Sequence, residues 1–309
     1  MSKTLTIALT TYNRPNFLSE SIESILNQTF KDFDLIILDN GSDKETRSVI
    51  NLYQDSRIKY ERNDTNDLEF VNRAFDYTQN DFLMIFHDDD VMKPNMLKEM
   101  IKIIKSDKEI NTISCSIDLI DSESKNLNKV RPRIIKNKVW KKKGFIKEYL
   151  FSGDIIPCPS TIFRSSLIKK YNLRYDWKVG PAVDLFLFFQ INLITGKMIL
   201  LKSPLLNYRI HTNQESDLKR IELEFQVRSF ILILLKENNL CILSKKYLKA
   251  SSGIIINILI NDVIAGKLKY NVAISYLDKL KLESSNLINI YTIYWTLIGV
   301  FRGIKNKIS

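Results

Sequence analysis

Three consecutive carboxylates, Asp88, Asp89 and Asp90, follow an apolar run, Phe82-Leu83-Met84-Ile85-Phe86, and one histidine, His87. The run has the length and composition of a buried parallel strand, so the acids stand where a core element ends. Adjacent carboxylates in such a place repel one another and resist burial without a counter-charge. A divalent cation that prefers hard oxygen ligands, Mn²⁺ or Mg²⁺, supplies that charge most simply. Such an ion keeps positions open for water and phosphate oxygens, which makes the strand end a candidate diphosphate site. Alternatively, an acid here caps the helix that opens near Pro94, although one cap accounts for one aspartate and leaves two.

The elements that must position these acids alternate between two periods. Leu5 to Thr10, Phe33 to Asp39, Ile58 to Glu61 and Phe82 to Phe86 have the spacing of strands. Between and after them, Asn16 to Gln28, Asp43 to Tyr53, Phe70 to Tyr77 and Pro94 to Ser106 have the spacing of helices. That alternation means βαβ units, a parallel sheet, and ligands at the carboxyl ends of its strands. Three of those ends carry polar side chains: Thr10 to Arg14 after the first strand, Asp39 and Asn40 after the second, and the aspartates after the fourth. Neither GxGxxG nor GxxxxGK[ST] occurs, and the chain has only 9 glycines, so a nucleotide here would be held by side chains and metal.

Each candidate residue also has a structural alternative. Tyr12 offers a ring face to a base, or packs at a strand end. Asp39 can accept from an imide N–H, or form the Asx turn of Asp39-Asn40-Gly41. Arg14 and Arg73 can direct guanidinium groups at phosphates, or serve a neighbouring carboxylate and a solvated helix face. Asp184 opens an apolar helix, Leu185 to Phe189, where the helix dipole favours its ionised form and where an N-cap carboxylate would also sit. His211 can contribute an imidazole to a metal shell or bond a phosphate oxygen, and otherwise stabilises its own loop. Cys158, in Pro157-Cys158-Pro159-Ser160, has no nearby histidine to activate it and is expected to be a small packed residue.

The chain has 309 residues, 45% hydrophobic content and a net charge of +11, enough apolar material for a large core and a charge that implies an anionic partner. Three widely spaced cysteines, Cys115, Cys158 and Cys241, form no CxxC pair and suggest neither a disulfide framework nor a zinc site, which favours a reducing, cytoplasmic setting. No run of about 18 uncharged apolar residues stands out, so no spanning helix is expected. Residues 125–147 carry ten basic side chains and no acidic one, either as a solvated loop or as a contact for a membrane or pyrophosphate. Beyond Asp217 helical periodicity dominates, ending in a helix from Leu287 to Ile304 whose nearly uncharged part, Leu287 to Phe301, is followed by Arg302, Lys305 and Lys307. That last helix suits an anionic membrane interface, or docks on the core or on a second subunit of a homo-oligomer.

TTYNRPNFLSESIESILNQTF, FDLIILDNGSD and FHDDDVMKPNML, in that order, resemble the family 2 inverting glycosyltransferases of the GT-A fold, of the bacterial surface-polysaccharide type. The resemblance implies an α/β, Rossmann-like, mostly parallel sheet flanked by helices, with a catalytic domain over 1–216, divided near 110 into a nucleotide-binding and an acceptor-side half, and a helical C-terminal region over 217–309. It implies a UDP-sugar donor, with Thr10 and Tyr12 at the uracil, Asp39 on its polar edge, Arg14 near the phosphates, and Asp88 near the ribose. Asp89 would be the principal metal ligand, helped by Asp88 and by His211 in a Tyr-Arg-x-His loop. His87 stands where the family commonly has a further acid. Asp184 matches the second member of the family's Glu-Asp pair, the catalytic base. Transfer would run to a hydroxyl of a saccharide or lipid-linked saccharide, giving a β-linkage, at the inner face of the membrane and without nucleic acid. A sugar-nucleotide nucleotidyltransferase and a non-catalytic membrane- or polyanion-binding module are the alternatives. The first would want a glycine-rich basic loop after the first strand, which Thr10 to Pro15 is not.

Overall fold

The computed structural model describes residues 3–152, 156–180, 182–194, 196–211 and 220–283. They divide into two compact units. The first covers 3–146, 156–177 and 183–211; the second covers 147–152, 178–180, 182 and 220–283.

The first unit begins with β1 (Leu5–Thr11), followed by α1 (Pro15–Leu26), β2 (Phe33–Asp39), α2 (Lys44–Asn51), β3 (Ile58–Arg62) and β4 (Phe82–His87). These four strands are parallel, in the order β3-β2-β1-β4. β1, β2 and β4 are buried on both faces, which is why their sequences read as continuous apolar runs. Pro15 starts α1 with its φ already suited to a helix and no N–H to satisfy, and Leu18, Ile22 and Ile25 form the stripe that α1 buries. Asp43 caps α2 by accepting from the Thr46 N–H at 2.9 Å. Leu68–Asp76, expected to be α-helical from Phe70, is a 3-10 helix instead. Its start is set by Asp67, whose side chain accepts from the Glu69 N–H at 2.9 Å and so tightens the first turn.

After β4 come β5 (Val91–Met92), α3 (Met96–Ser106), β6 (Ile110–Ile120), β7 (Asn126–Arg131), β8 (Lys138–Trp140), α4 (Gly144–Ser152), β9 (Ile162–Arg164), α5 (Ser165–Tyr171), α6 (Val183–Leu193) and β10 (Lys197–Arg209). Here the sheet becomes mixed. β9 inserts antiparallel between β4 and β6, while β6 and β10 run parallel to each other, giving β3-β2-β1-β4-β9-β6-β10-β5. The sequence suggests two strands, Lys197 to Leu201 and Leu205 to Tyr208; the structure shows one, with register shifts on either side of Pro204. Proline has no N–H for the ladder, so the strand bulges past it and continues.

One core cluster runs through this unit, from Leu5, Leu9 and Leu35 through Met84 and Phe86 to Ile113 and Leu206. The parallel register fixes the rim of the crevice: Thr11 lies opposite Asp39, and Thr10 opposite His87. Three strand ends therefore finish on one line.

The second unit holds α7 (Arg220–Glu237), α8 (Cys241–Ile264) and α9 (Tyr270–Glu283). Phe225, Ile255, Ile258, Leu259 and Ala273 form its core, with the Phe225 ring stacked on Tyr276. Contrary to the expectation that no segment would qualify, α8, at 24 residues and with a mean hydropathy of 1.3 over an 18-residue stretch, is long and apolar enough to cross a membrane by length and composition. Half of that apolar stretch is buried within the protein, which the core helix of a soluble fold also achieves. The expected helix over Leu287 to Ile304 lies outside the described residues.

Candidate active site

Asp88, Asp89 and Asp90 form the turn between β4 and β5, and all three are buried. Their surroundings differ. Asp88 accepts from Arg14 Nη1 at 3.1 Å and from the Tyr12 N–H at 3.3 Å. Burial and then the neighbouring Asp89 charge push its carboxyl up to about 6, against the pull of Arg14. Asp89 Oδ2 accepts from Arg14 Nη1 at 2.9 Å and lies 3.0 Å from His211 Nε2. Burial raises the Asp89 carboxyl, but the charges of His87, Arg14 and His211 outweigh it and hold the group below its ordinary range. Asp90 is fully buried; burial and the Asp89 charge push it well above that range.

Asp90 Oδ1 accepts from the Arg209 N–H at 3.0 Å, while Asp90 Oδ2 has no hydrogen-bond partner among the described residues. An orphaned buried carboxylate oxygen is costly, and a cation is the natural means of satisfying it. His87, Asp89 and Asp90 each bring one ligand atom to within 4.8 Å of the others. A nitrogen and two oxygens so placed fit Mn²⁺ or Mg²⁺. Asp88, expected among the metal ligands, is turned toward Arg14 and the Tyr12 N–H just beyond β1; His211 reaches Asp89 without joining that cluster of three.

Arg209, which the sequence shows only as part of Tyr208-Arg209-Ile210-His211, holds this turn in place. Its guanidinium is buried. Nε donates to the Asp89 carbonyl at 2.8 Å, Nη2 to Glu20 at 2.5 Å, and Nη1 to the Asp121 carbonyl at 3.1 Å and Ser124 Oγ at 2.9 Å. The same group lies 4.7 Å from the Phe17 ring centroid, and His211 packs on Phe17 at 5.1 Å. One cation thus ties β10, α1 and the β6–β7 turn to the acidic residues. The available signal was an arginine at the end of an otherwise apolar strand.

At the other end of the crevice Asp39 is fully buried, and its Oδ1 accepts from the Ser42 N–H at 2.8 Å, the Asx turn foreseen for it. Its Oδ2 accepts from the Tyr60 hydroxyl at 2.6 Å and lies 3.7 Å from Arg62 Nε. Neither Tyr60 nor Arg62 is prominent in the sequence. Tyr12 is 41% exposed at the rim, leaving its ring free of the core, and Thr10 Oγ1 donates to the Phe86 carbonyl at 3.3 Å. Arg73 sits half-exposed between Asp76, at 2.8 Å, and Glu61, at 3.6 Å.

Asp184 lies in the first turn of α6, whose apolar side chains are buried on every side. Its Oδ1 accepts from the Leu185 N–H at 2.7 Å, and burial pushes the carboxyl up to about 6. Burial, then the charges of Asp90, Asp89 and Asp184, raise the Tyr208 phenol, so the acidic turn and Asp184 both lie within electrostatic reach of that side chain. Cys158 is buried against the Tyr175 hydroxyl at 3.1 Å, and burial, with the Asp184 charge, pushes its thiol far up; it is a packed residue and not a nucleophile.

A parallel half-sheet whose strand ends converge on an acidic turn can hold a cation and, through it, phosphate oxygens. The family described as Glycosyl transferase family 2 matches residues 6–170. The chain belongs to that family. An uncharacterized glycosyltransferase of Methanocaldococcus jannaschii is 31% identical over 224 residues, 71% of this chain and 74% of its own length. The GalNAc(5)-diNAcBac-PP-undecaprenol beta-1,3-glucosyltransferase of Campylobacter jejuni is 26% identical over 67% of this chain and 64% of its own. Among solved structures, residues 1–349 of S. aureus TarS in complex with UDP-GlcNAc superimpose with a TM-score of 0.58 at 13% identity, covering 91% of this chain and 88% of that one. The fold of this family 2 glycosyltransferase is therefore GT-A-like. Its family match spans β1 to nearly the end of α5, so Asp184, Arg209 and His211 lie beyond the matched stretch. Membership sets aside the nucleotidyltransferase and the non-catalytic binding module.

Proposed function

We propose that this glycosyltransferase is metal-dependent and inverting, and transfers a sugar from a UDP-sugar to a hydroxyl of a saccharide or lipid-linked saccharide, giving a β-linkage on the cytoplasmic side of the membrane. The carrying observation is the acidic turn, where His87, Asp89 and Asp90 bring ligand atoms within 4.8 Å of one another and Asp90 Oδ2 has no hydrogen-bond partner among the described residues, with Asp184 a further carboxylate, raised by burial, whose charge reaches Tyr208. When bound by the first group, Mn²⁺ or Mg²⁺ would neutralise charge on a departing diphosphate. The UDP-GlcNAc bound by TarS supports the uridine donor, and the undecaprenol-linked acceptor in the name of the Campylobacter enzyme supports the lipid-linked one.

The protein's own residues supply the rest. Tyr12 presents an exposed ring to the base, and Asp39 a buried acceptor for its imide N–H once the Tyr60 hydroxyl yields that position. Arg14, already on Asp88 and Asp89, carries a positive charge that diphosphate oxygens can share. Asp184 takes the proton of the acceptor hydroxyl as its oxygen bonds to the anomeric carbon; the carbon–phosphate oxygen bond breaks and its electron pair leaves with UDP. One displacement inverts the anomeric configuration. With its carboxyl raised to about 6, Asp184 is ionised at neutral pH and basic enough to accept a proton in the transition state.

Isothermal titration with UDP, with and without Mn²⁺, tests this reading. UDP should bind in a metal-dependent way, more tightly than GDP, and Asp89→Asn should abolish the metal dependence. Equal affinity with and without metal, or a preference for GDP, would refute it.

A further inference from the structure

We infer that residues 125–143 form a docking surface for an anionic phospholipid bilayer. This stretch carries nine lysines and arginines and no aspartate or glutamate. Lys125, Lys129, Arg131, Arg133, Lys136, Lys141 and Lys142 are exposed, so their charge faces solvent, and none of these seven forms an ion pair among the described residues. β7 and β8 display it from the edge of the sheet, β7 against β6 and β8 against β10.

Charge alone would suit any polyanion. The six-residue connection between β7 and β8 narrows the choice. Its two ends are pinned: Ser116 Oγ donates to the Pro132 carbonyl at 3.0 Å, and the Lys202 N–H donates to Asn137 Oδ1 at 2.9 Å. Between those anchors Ile135 is 90% exposed, with Arg133 and Lys136 on either side. Val139 and Val130 are also exposed, at 56% and 37%. A single exposed aliphatic residue is ordinary on a protein surface. An isoleucine held at the tip of a pinned loop inside a collar of cations is the arrangement that enters the acyl boundary of a bilayer while the cations meet its headgroups. A nucleic acid or acidic polysaccharide would use the cations and leave Ile135 in water. The root of the surface, Ser124, contacts Arg209, so a docked loop would bring the rim of the catalytic crevice close to the lipid.

The full-length protein, without donor or metal, is tested on phosphatidylcholine vesicles with and without phosphatidylglycerol, so the outcome does not depend on the proposed reaction. The protein should sediment with the anionic vesicles only. The triple variant Arg131→Gln, Arg133→Gln, Lys136→Gln should weaken partitioning about 100-fold, at about fivefold for each cation lost. Lys59→Gln, Lys98→Gln, Lys102→Gln, three exposed lysines elsewhere, should leave it nearly unchanged. In Ile135→Trp, the added fluorescence should shift to the blue and be quenched by brominated acyl chains. Equal loss in both triple variants, binding to neutral vesicles as strong as to anionic ones, a tryptophan at 135 that bound vesicles do not quench, or binding to RNA or acidic polysaccharide without binding to vesicles would overturn the inference.

Discussion

Replacing Asp184 with asparagine should make the protein more stable and nearly inactive at once. Burial raises the native carboxyl from 3.8 to about 6. Between those values the unfolded chain has released the proton and the native protein still holds it, so stability falls as pH rises through this window and stays lower above it. A shift of about two units corresponds to about 3 kcal/mol. Because the side chain is only half-buried and keeps some solvent, about 1–3 kcal/mol is the reasonable range at pH 7.5. Asparagine retains the oxygen that accepts from the Leu185 N–H and carries no charge to desolvate. In EDTA, urea unfolding should therefore show Asp184→Asn more stable than the wild type by that amount at pH 7.5, with the difference almost gone at pH 4. Transfer should fall by about 10²- to 10⁴-fold, the usual worth of a general base, with UDP affinity unchanged. Wild-type kcat should decline on the acid side with a midpoint near 6. A stabilisation of equal size at both pH values would refute the burial argument, and a parallel loss of UDP binding would refute the role of Asp184 as base.

Arg209→Met should cost about 3–5 kcal/mol in urea unfolding, because Glu20 and the Asp89 carbonyl lose their buried partner; Mn²⁺ affinity should fall with it as the acidic turn loosens, and an unchanged affinity would show that the turn holds itself. Tyr60→Phe should tighten UDP binding by about two- to tenfold, since the hydroxyl on Asp39 no longer has to be displaced; weaker binding by calorimetry would mean that Tyr60 assists the base. Arg14→Gln should raise the affinity for Mn²⁺ alone by about fivefold, by removing a cation 2.9 Å from Asp89 Oδ2, and should weaken UDP binding in the same titrations.

Local chemistry is written plainly in this chain. The apolar runs at β1, β2 and β4, the proline that opens α1 and the aspartate that caps α2 specify their elements within a residue or two, because strand and helix periods and caps are properties of neighbours in sequence. Parallel pairing then carries the ends of β1, β2 and β4 to one rim with no further information. The tightening of Leu68–Asp76 into a 3-10 helix and the fusion of β10 across Pro204 were not legible, since both depend on what packs and pairs alongside.

The site divides in the same way. That three adjacent acids at the end of a buried strand need a cation follows from their order in the chain, whatever the fold around them. Which oxygen is left without a partner does not. Asp90 Oδ2 is left without a partner among the described residues, since Arg209, 119 residues further on, takes Oδ1, while Arg14, 74 residues earlier, takes up Asp88. Tyr60 on Asp39, and the charges of Asp90, Asp89 and Asp184 acting together on Tyr208, are likewise products of distant segments meeting. Sequence determined which groups had charge to be satisfied; only tertiary packing decided which of them were satisfied, because burial and partnership are set by residues far apart in the chain.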